Sequence, residues 1–178
     1  RVGRAPLLLK DRDAAGFDYL VVRTGPIEEP TAWWFEAMDV EVKFVAALAD
    51  DKHPEHTVRV GSAATTEIME ELASAINARF KGEVVTHNFA AVSGTGAGGP
   101  IGVKDETVHL LEVFDPQVSK WTAIHRLALE QGIPRERVAA VGDEINDLAM
   151  IEGAALGIAM GNAIDAVKRA AQVETAGH

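Results

Sequence analysis

The chain contains no cysteine. That excludes disulfide frameworks, thiolate nucleophiles, thiolate zinc sites and iron–sulfur clusters, and it is compatible with a reducing compartment. Positive charge is scarce as well: 17 Lys plus Arg stand against 27 Asp plus Glu, a formal net charge of −10. A general nucleic-acid binder needs a basic face to displace counterions from phosphates, so that class is set aside. No run approaches the roughly 18 apolar residues of a membrane span, and the longest, around Ala154 to Met160, is broken by Gly157. No charged stretch leads into an apolar core near Arg1, so no secretory leader is read and a soluble, cytoplasmic protein is expected. The absence of an initiating Met reads as a trimmed start. What remains is ordinary: with 47% hydrophobic and 25% charged residues, the chain can bury a core as one domain or two small ones.

Ala5 to Ala15 reads as a short helix, and Asp18 to Thr24, an apolar run stopped by Gly25-Pro26, as a buried strand ending in a turn. Thr31 to Asp51 carries two periods: Trp33, Trp34, Phe35 and Met38 fit a helix, whereas Val40, Val42 and Phe44 alternate like a strand. Thr57 to Ala63 predicts a strand. It feeds a helix capped by Thr65 or Thr66, with Ile68, Leu72, Ala75 and Ile76 on its apolar side. Further strands are expected over Glu83 to Phe89 and Thr107 to Phe114. The glycine-rich connection between them lacks the strand-then-helix setting of a nucleotide fingerprint, so Gly94 to Gly102 is read as a flexible loop.

After Asp115-Pro116 short apolar strands alternate with helices. Ser119 is placed to cap a helix with Trp121, Ile124 and Leu127 or Ala128 inward, ended by Gly132 and Pro134. Val138 to Val141 predicts a strand, Asn146 or Asp147 to Ile151 a helix, and Leu156 to Met160 another strand. Asn162 is expected to cap the last helix. Such alternation predicts an α/β fold with a parallel sheet covered on both faces.

One apolar strand runs straight into Gly142-Asp143-Glu144-Ile145-Asn146-Asp147. Asp143 therefore falls at the carboxyl end of a parallel strand, where ligands sit in open α/β sheets. Carboxylates there suit a hard cation such as Mg²⁺, which fills its remaining positions with water and substrate phosphate. Acidic residues also gather at helix starts for the sake of the dipole alone. The trio by itself leaves both explanations standing.

The order Gly-Asp-x-x-Asn-Asp after a strand resembles the fourth motif of the haloacid dehalogenase-like (HAD) phosphohydrolases. Gly153 to Ala163 is similar to the stretch that follows this motif in subfamily IIB, the Cof-type and sucrose-phosphatase-like enzymes. Leu110 to Phe114 with Val118-Ser119-Lys120 resembles the third motif and its lysine. The resemblance implies a Rossmann-like HAD core, residues 1–30 and 117–178, with an inserted α/β cap of the C2B type over 31–116. It also implies an aspartyl-phosphate route, which splits one hard step into two. On that basis Asp143 would hold Mg²⁺, Lys120 would bridge nucleophile and phosphate, Asn146 would contact phosphate or orient its neighbours, and Asp147 would assist the metal or the lysine. The implied substrate is a small phosphorylated metabolite, in class a sugar phosphate, with neither nucleic acid nor membrane as partner. Oligomeric state is not written in any of these motifs.

The family's first motif, an apolar strand ending in Asp-x-Asp-Gly with the nucleophile, is missing. Leu7-Leu8-Leu9-Lys10-Asp11-Arg12-Asp13 has the carboxylate spacing but a lysine in the strand and no Gly-Thr after it. Val2-Gly3-Arg4 resembles the second motif's Thr-Gly-Arg, which makes Arg4 a substrate contact and puts Val2 where a phosphate-binding hydroxyl is expected. The nucleophile is therefore expected outside this chain. A phosphosugar mutase or phosphotransferase of the same fold, and a non-catalytic phosphate-binding or regulatory protein, are the alternative readings. Trp121 stands where the family usually has glycine, and is expected to crowd the site or to pack under the cap. His53 and His56, flanking Pro54-Glu55 beside Asp50 and Asp51, are read as a solvated loop, with a metal site as the alternative. Trp33-Trp34-Phe35 is read as an apolar anchor for the cap or a dimer contact, with a substrate or partner platform as the alternative.

Overall fold

A computed structural model describes residues 3–93 and 103–176. Val2 and the glycine run 94–102, both singled out above, lie outside the described residues. The chain divides into two compact units, Arg1–Asp115 and Pro116–His178.

The first unit is built on a six-stranded sheet in the order β3-β2-β1-β4-β6-β5. Its strands are β1 (Leu7–Lys10), β2 (Tyr19–Val22), β3 (Val42–Val45), β4 (Thr57–Thr65), β5 (Val85–Ser93) and β6 (Val103–Phe114). Three helices accompany them: α1 (Arg12–Ala15), α2 (Glu29–Ala37) and α3 (Thr66–Arg79). The sheet is antiparallel except between β2 and β3, the parallel pair that α2 connects. One face packs Leu7, Tyr19 and Val21 against Phe35 of α2, with Trp34 beside it. Deep in the sheet, Leu111 and Ala64 meet Met69 of α3.

Two expectations fail here. Residues 5–15 are not one helix: Leu7–Lys10 is a central strand, and Asp11, whose Oδ1 accepts from the N–H groups of Asp13 and Ala14, starts the single turn of α1. Residues 1–30 also do not group with 117–178. Strand β1 pairs with β2 on one side and β4 on the other, so removing this segment would take out two adjacent strands and cut β3 off from β4.

Lys10 adds a buried tie to this pairing. Its ammonium, fully buried, donates to Asp51 Oδ2 at 2.6 Å, Thr57 Oγ1 at 2.7 Å and the His53 carbonyl at 3.0 Å. A buried charge is tolerated only when paired and fully hydrogen-bonded. Lys10 thus ties the end of β1 to the loop that enters β4. Burial pushes the Asp51 carboxyl up, but the Lys10 hydrogen bond, the His53 N–H and the charges of Lys10 and His53 outweigh it and hold it below the usual range.

The second unit has a three-stranded parallel sheet, order β7-β8-β9, made of β7 (Ala139–Gly142), β8 (Leu156–Ala159) and β9 (Val173–Glu174). Its helices are α4 (Lys120–Glu130), α5 (Leu148–Gly153) and α6 (Asp165–Ala170). Helix α4 ends as the sequence predicts. Gly132 takes φ +67°, the Ile133 N–H returns to the Ala128 carbonyl, and the Gly132 N–H returns to that of Leu129, closing a Schellman motif. Ala128 rather than Leu127 faces inward.

One sheet face packs Ala140 and Ala159 against Ile151, Ala154, Ala163 and Val167, while Val141, Leu156 and Val173 on the other face are exposed. Among the described residues, then, helices cover one face and not the expected two. No helix of the described residues is long and apolar enough to cross a membrane.

Candidate active site

The first turn of α4 is closed by a capping box. Ser119 Oγ accepts from the Thr122 N–H at 3.1 Å, and Thr122 Oγ1 accepts from the Ser119 N–H at 2.9 Å. Lys120 is thereby the first helical residue, at the end where the helix dipole disfavours a cation. Asp147 meets it: Lys120 Nζ lies 2.5 Å from Asp147 Oδ1. The other oxygen, Oδ2, accepts from the backbone N–H of Asp143 at 3.0 Å and of Glu144 at 3.2 Å. One carboxylate therefore fixes both the lysine and the backbone that carries Asp143.

Local sequence makes this possible. A short 3₁₀ turn, Ile145–Asp147, folds Asp147 back beneath the end of β7. Gly142 leaves the space it needs, since a Cβ at 142 would sit 2.7 Å from Asp147 Cγ and 2.8 Å from its Oδ2. Burial pushes the Asp147 carboxyl up, but the Lys120 hydrogen bond, the two amides and the Lys120 charge together hold it below the usual carboxylate range. Asp147 is thus an anion at neutral pH with both oxygens committed to protein donors.

Asp143 stands at the carboxyl end of β7, partly buried, with Oδ2 accepting from Asn162 Nδ2 at 3.1 Å. Its carbonyl accepts from the Ile164 N–H at 2.9 Å, and the Gly142 carbonyl from the Met160 N–H at 3.0 Å, which fastens the loop after β8 to the same sheet edge. Asn146 Oδ1 is buried with no hydrogen-bond partner. A buried acceptor left unsatisfied asks for a ligand or an ordered water. The carboxylate of Asp143 and the amide oxygen of Asn146 are hard donors of the kind Mg²⁺ takes, so the residues present fit that ion.

Asn162 is the site residue that sequence reasoning placed wrongly. It does not cap α6, which begins at Asp165 after Ile164 with no side-chain cap; its amide holds Asp143 instead. The usable signal is its position just beyond β8, beside β7 in a parallel pair. Trp121 packs on Gly153, where any Cβ would strike the indole, and stacks on His125 at 5.0 Å. It belongs to the packing of the second unit.

Arg4 falls in the first unit. Its guanidinium pairs with Glu28 at 2.6 Å, and it lines a largely apolar cavity of about 530 Å³ with Val60, Leu72 and Leu111 among the walls. The expected substrate contact is thus occupied by a carboxylate and is not among the residues the second unit assembles. Among the described residues, one group of three metal-donor side chains gathers, also in the first unit: His53, Glu55 and His56.

Comparison with known proteins points to one hydrolase family. A family model described as haloacid dehalogenase-like hydrolase matches residues 35–178. The 5-amino-6-(5-phospho-D-ribitylamino)uracil phosphatase YitU of Bacillus subtilis (strain 168) is 46% identical over 68 residues, 38% of this chain and 25% of that protein. A haloacid dehalogenase-like hydrolase from Bacteroides thetaiotaomicron superposes with a TM-score of 0.65 at 22% identity, covering 98% of this chain and 56% of that one. The HAD subclass IIB sugar phosphatase BT4131 gives a TM-score of 0.65 at 20% identity, over 98% and 55%. The match thus spans about a quarter of the curated relative and about half of the solved chains.

Proposed function

The chain belongs to the haloacid dehalogenase-like hydrolases, and from that premise we propose that it contributes the lysine and metal-binding half of a Mg²⁺-dependent phosphatase acting on a small phosphomonoester, in class a sugar phosphate. The observation that carries the reading is the single carboxylate of Asp147, which holds the Lys120 ammonium with one oxygen and the Asp143–Glu144 backbone with the other. Lys120 is about half exposed, so its charge is positioned yet open to a ligand.

In phosphoryl transfer the protein mainly positions groups and neutralises the equatorial oxygens. Lys120 does the second, and Asp147 keeps the ammonium in place without itself touching substrate. Asp143, its carboxylate fixed by Asn162, would hold the metal. The buried, unpartnered acceptor of Asn146 would serve a bound water or the ion. When bound, Mg²⁺ supplies further neutralisation of the phosphate. The nucleophile would be an aspartate forming an aspartyl-phosphate. Asp11 and Asp13 are poor candidates for it, because Asp11 is a helix cap and β1 runs antiparallel to both neighbours. The first unit takes the part of the cap that selects substrate.

The test is Mg²⁺-dependent phosphate release from a panel of sugar phosphates by the product of the complete gene. Asp143→Ala and Lys120→Ala are each expected to lower turnover by about 10²–10³-fold, the usual cost of losing one preorganised charge partner of the transition state. Unchanged turnover in either variant would overturn the assignment. Phosphate appearing on a sugar acceptor instead of in solution would move the reading to a phosphotransferase.

A further inference from the structure

We propose that His53, Glu55 and His56 form a binding site for a borderline divalent cation of the Zn²⁺ class, separate from the Mg²⁺ site proposed at Asp143. The three side chains lie on one short segment, His53-Pro54-Glu55-His56, whose residues Pro54–His56 form a 3₁₀ turn. His53 precedes that turn as its N-cap, and its ring lies 6.2 Å from the His56 ring, centroid to centroid, with the two planes tilted by 32°. One donor atom from each of the three residues lies within 4.8 Å of the others, and His56 Nε2 is 3.4 Å from Glu55 Oε1. Donors around a tetrahedral Zn²⁺ with bonds of roughly 2.0–2.1 Å stand about 3.4 Å apart. Side-chain rotation on a fixed backbone closes that difference.

The backbone is indeed fixed. The His53 carbonyl accepts from buried Lys10 Nζ, its N–H donates to Asp51 Oδ1 at 3.0 Å, and the His56 carbonyl accepts from the Asp11 N–H at 2.9 Å. Both histidines are therefore pinned to the end of β1, and the Phe17 ring meets the His53 ring edge to face at 6.0 Å. Little ordering is left for the ion to impose, which is what preorganisation means for affinity. Two imidazoles and a carboxylate favour Zn²⁺ and its neighbours over Mg²⁺, which prefers an all-oxygen octahedron. Three protein ligands leave a fourth position for water.

The experiment titrates Zn²⁺ into the chain in the presence of excess Mg²⁺, with free Zn²⁺ read by a chromogenic chelator and unfolding followed by circular dichroism. One equivalent is expected to bind, raising the unfolding midpoint by about 5 °C or more at saturation. Affinity should fall by about 10–100-fold or more in His56→Gln and in Glu55→Gln, with the far-ultraviolet spectrum unchanged. No stoichiometric binding, equal competition by Mg²⁺, or unaltered affinity in these variants would overturn the proposal. Should the variants unfold, Co²⁺ bound to the parent chain decides: intense tetrahedral visible bands support the site, and weak octahedral bands overturn it.

Discussion

Each unit contains a lysine–aspartate pair of nearly the same length, and the two pairs do different work. In the first unit Lys10 and Asp51 show side-chain exposures of 0% and 2%; in the second Lys120 and Asp147 show 49% and 7%. Lys10 spends all three of its donors inside the fold, on Asp51, Thr57 and His53. Lys120 donates to Asp147 and leaves the rest of its ammonium to solvent. Pairing distance therefore does not separate a buried structural ion pair from one whose cation stays open to solvent. What separates them is whether the cation keeps access to a ligand while its anion is held from elsewhere.

The largest effect expected from that contrast is in Lys10→Met. It leaves the buried Asp51 carboxylate without its cation, and urea unfolding should show a loss of about 3–5 kcal/mol. The double variant Lys10→Met with Asp51→Leu should recover most of it, because replacing both partners removes the unpaired charge. Lys120→Met should be far milder, with a stability change within about 1 kcal/mol in the same assay, as befits a half-exposed cation. A loss as large as that of Lys10→Met would erase the distinction between the two pairs.

The smallest effect concerns pH and a third ion pair. Glu112 is buried on β6, with Arg59 Nη1 at 2.6 Å from its Oε1 while Arg59 Nη2 donates to the Tyr19 hydroxyl at 2.9 Å. Burial pushes the Glu112 carboxyl up and the Arg59 charge and hydrogen bond only partly offset it. The folded chain then retains a proton that the unfolded chain has already lost, so this group's contribution to stability declines as pH rises from the ordinary glutamate range through the raised value. Asp51 and Asp147, held low, contribute in the opposite direction and lose their share as pH falls. Glu112→Gln should therefore gain on the parent as pH rises through that window. In urea unfolding across that window, a variant that loses stability relative to the parent as pH rises would contradict the sign.

What could be read from the sequence follows the same division. In the second unit the signals are local. Ser119 with Thr122 caps α4, Gly132 ends it, and the turn from Gly142 to Asp147 spans six consecutive residues, so spacing alone places the lysine and the carboxylates on their elements. The family resemblance rests on these same residues and on the match over 35–178. In the first unit the deciding partners are distant. Lys10 interrupts an apolar run in a way that looks helical until Asp51, 41 residues later, is found against it. Thr31 to Asp51 shows both periods because it holds both elements, α2 and then β3. Asn162 fails for the same reason as Lys10: an asparagine near a helix start satisfies a local rule, and its true partner, Asp143, lies 19 residues back.

The bare Cα of Gly142 couples two positions in the chain's mutational history. Any L side chain there collides with Asp147, and Asp147 is what holds Lys120 and the Asp143 loop. Single substitutions at 142 therefore lead downhill before any second change can compensate, and so does lengthening at 147. Lineages can reach a different arrangement only by altering both positions together, which makes the pair a barrier to gradual drift although neither residue needs to touch substrate.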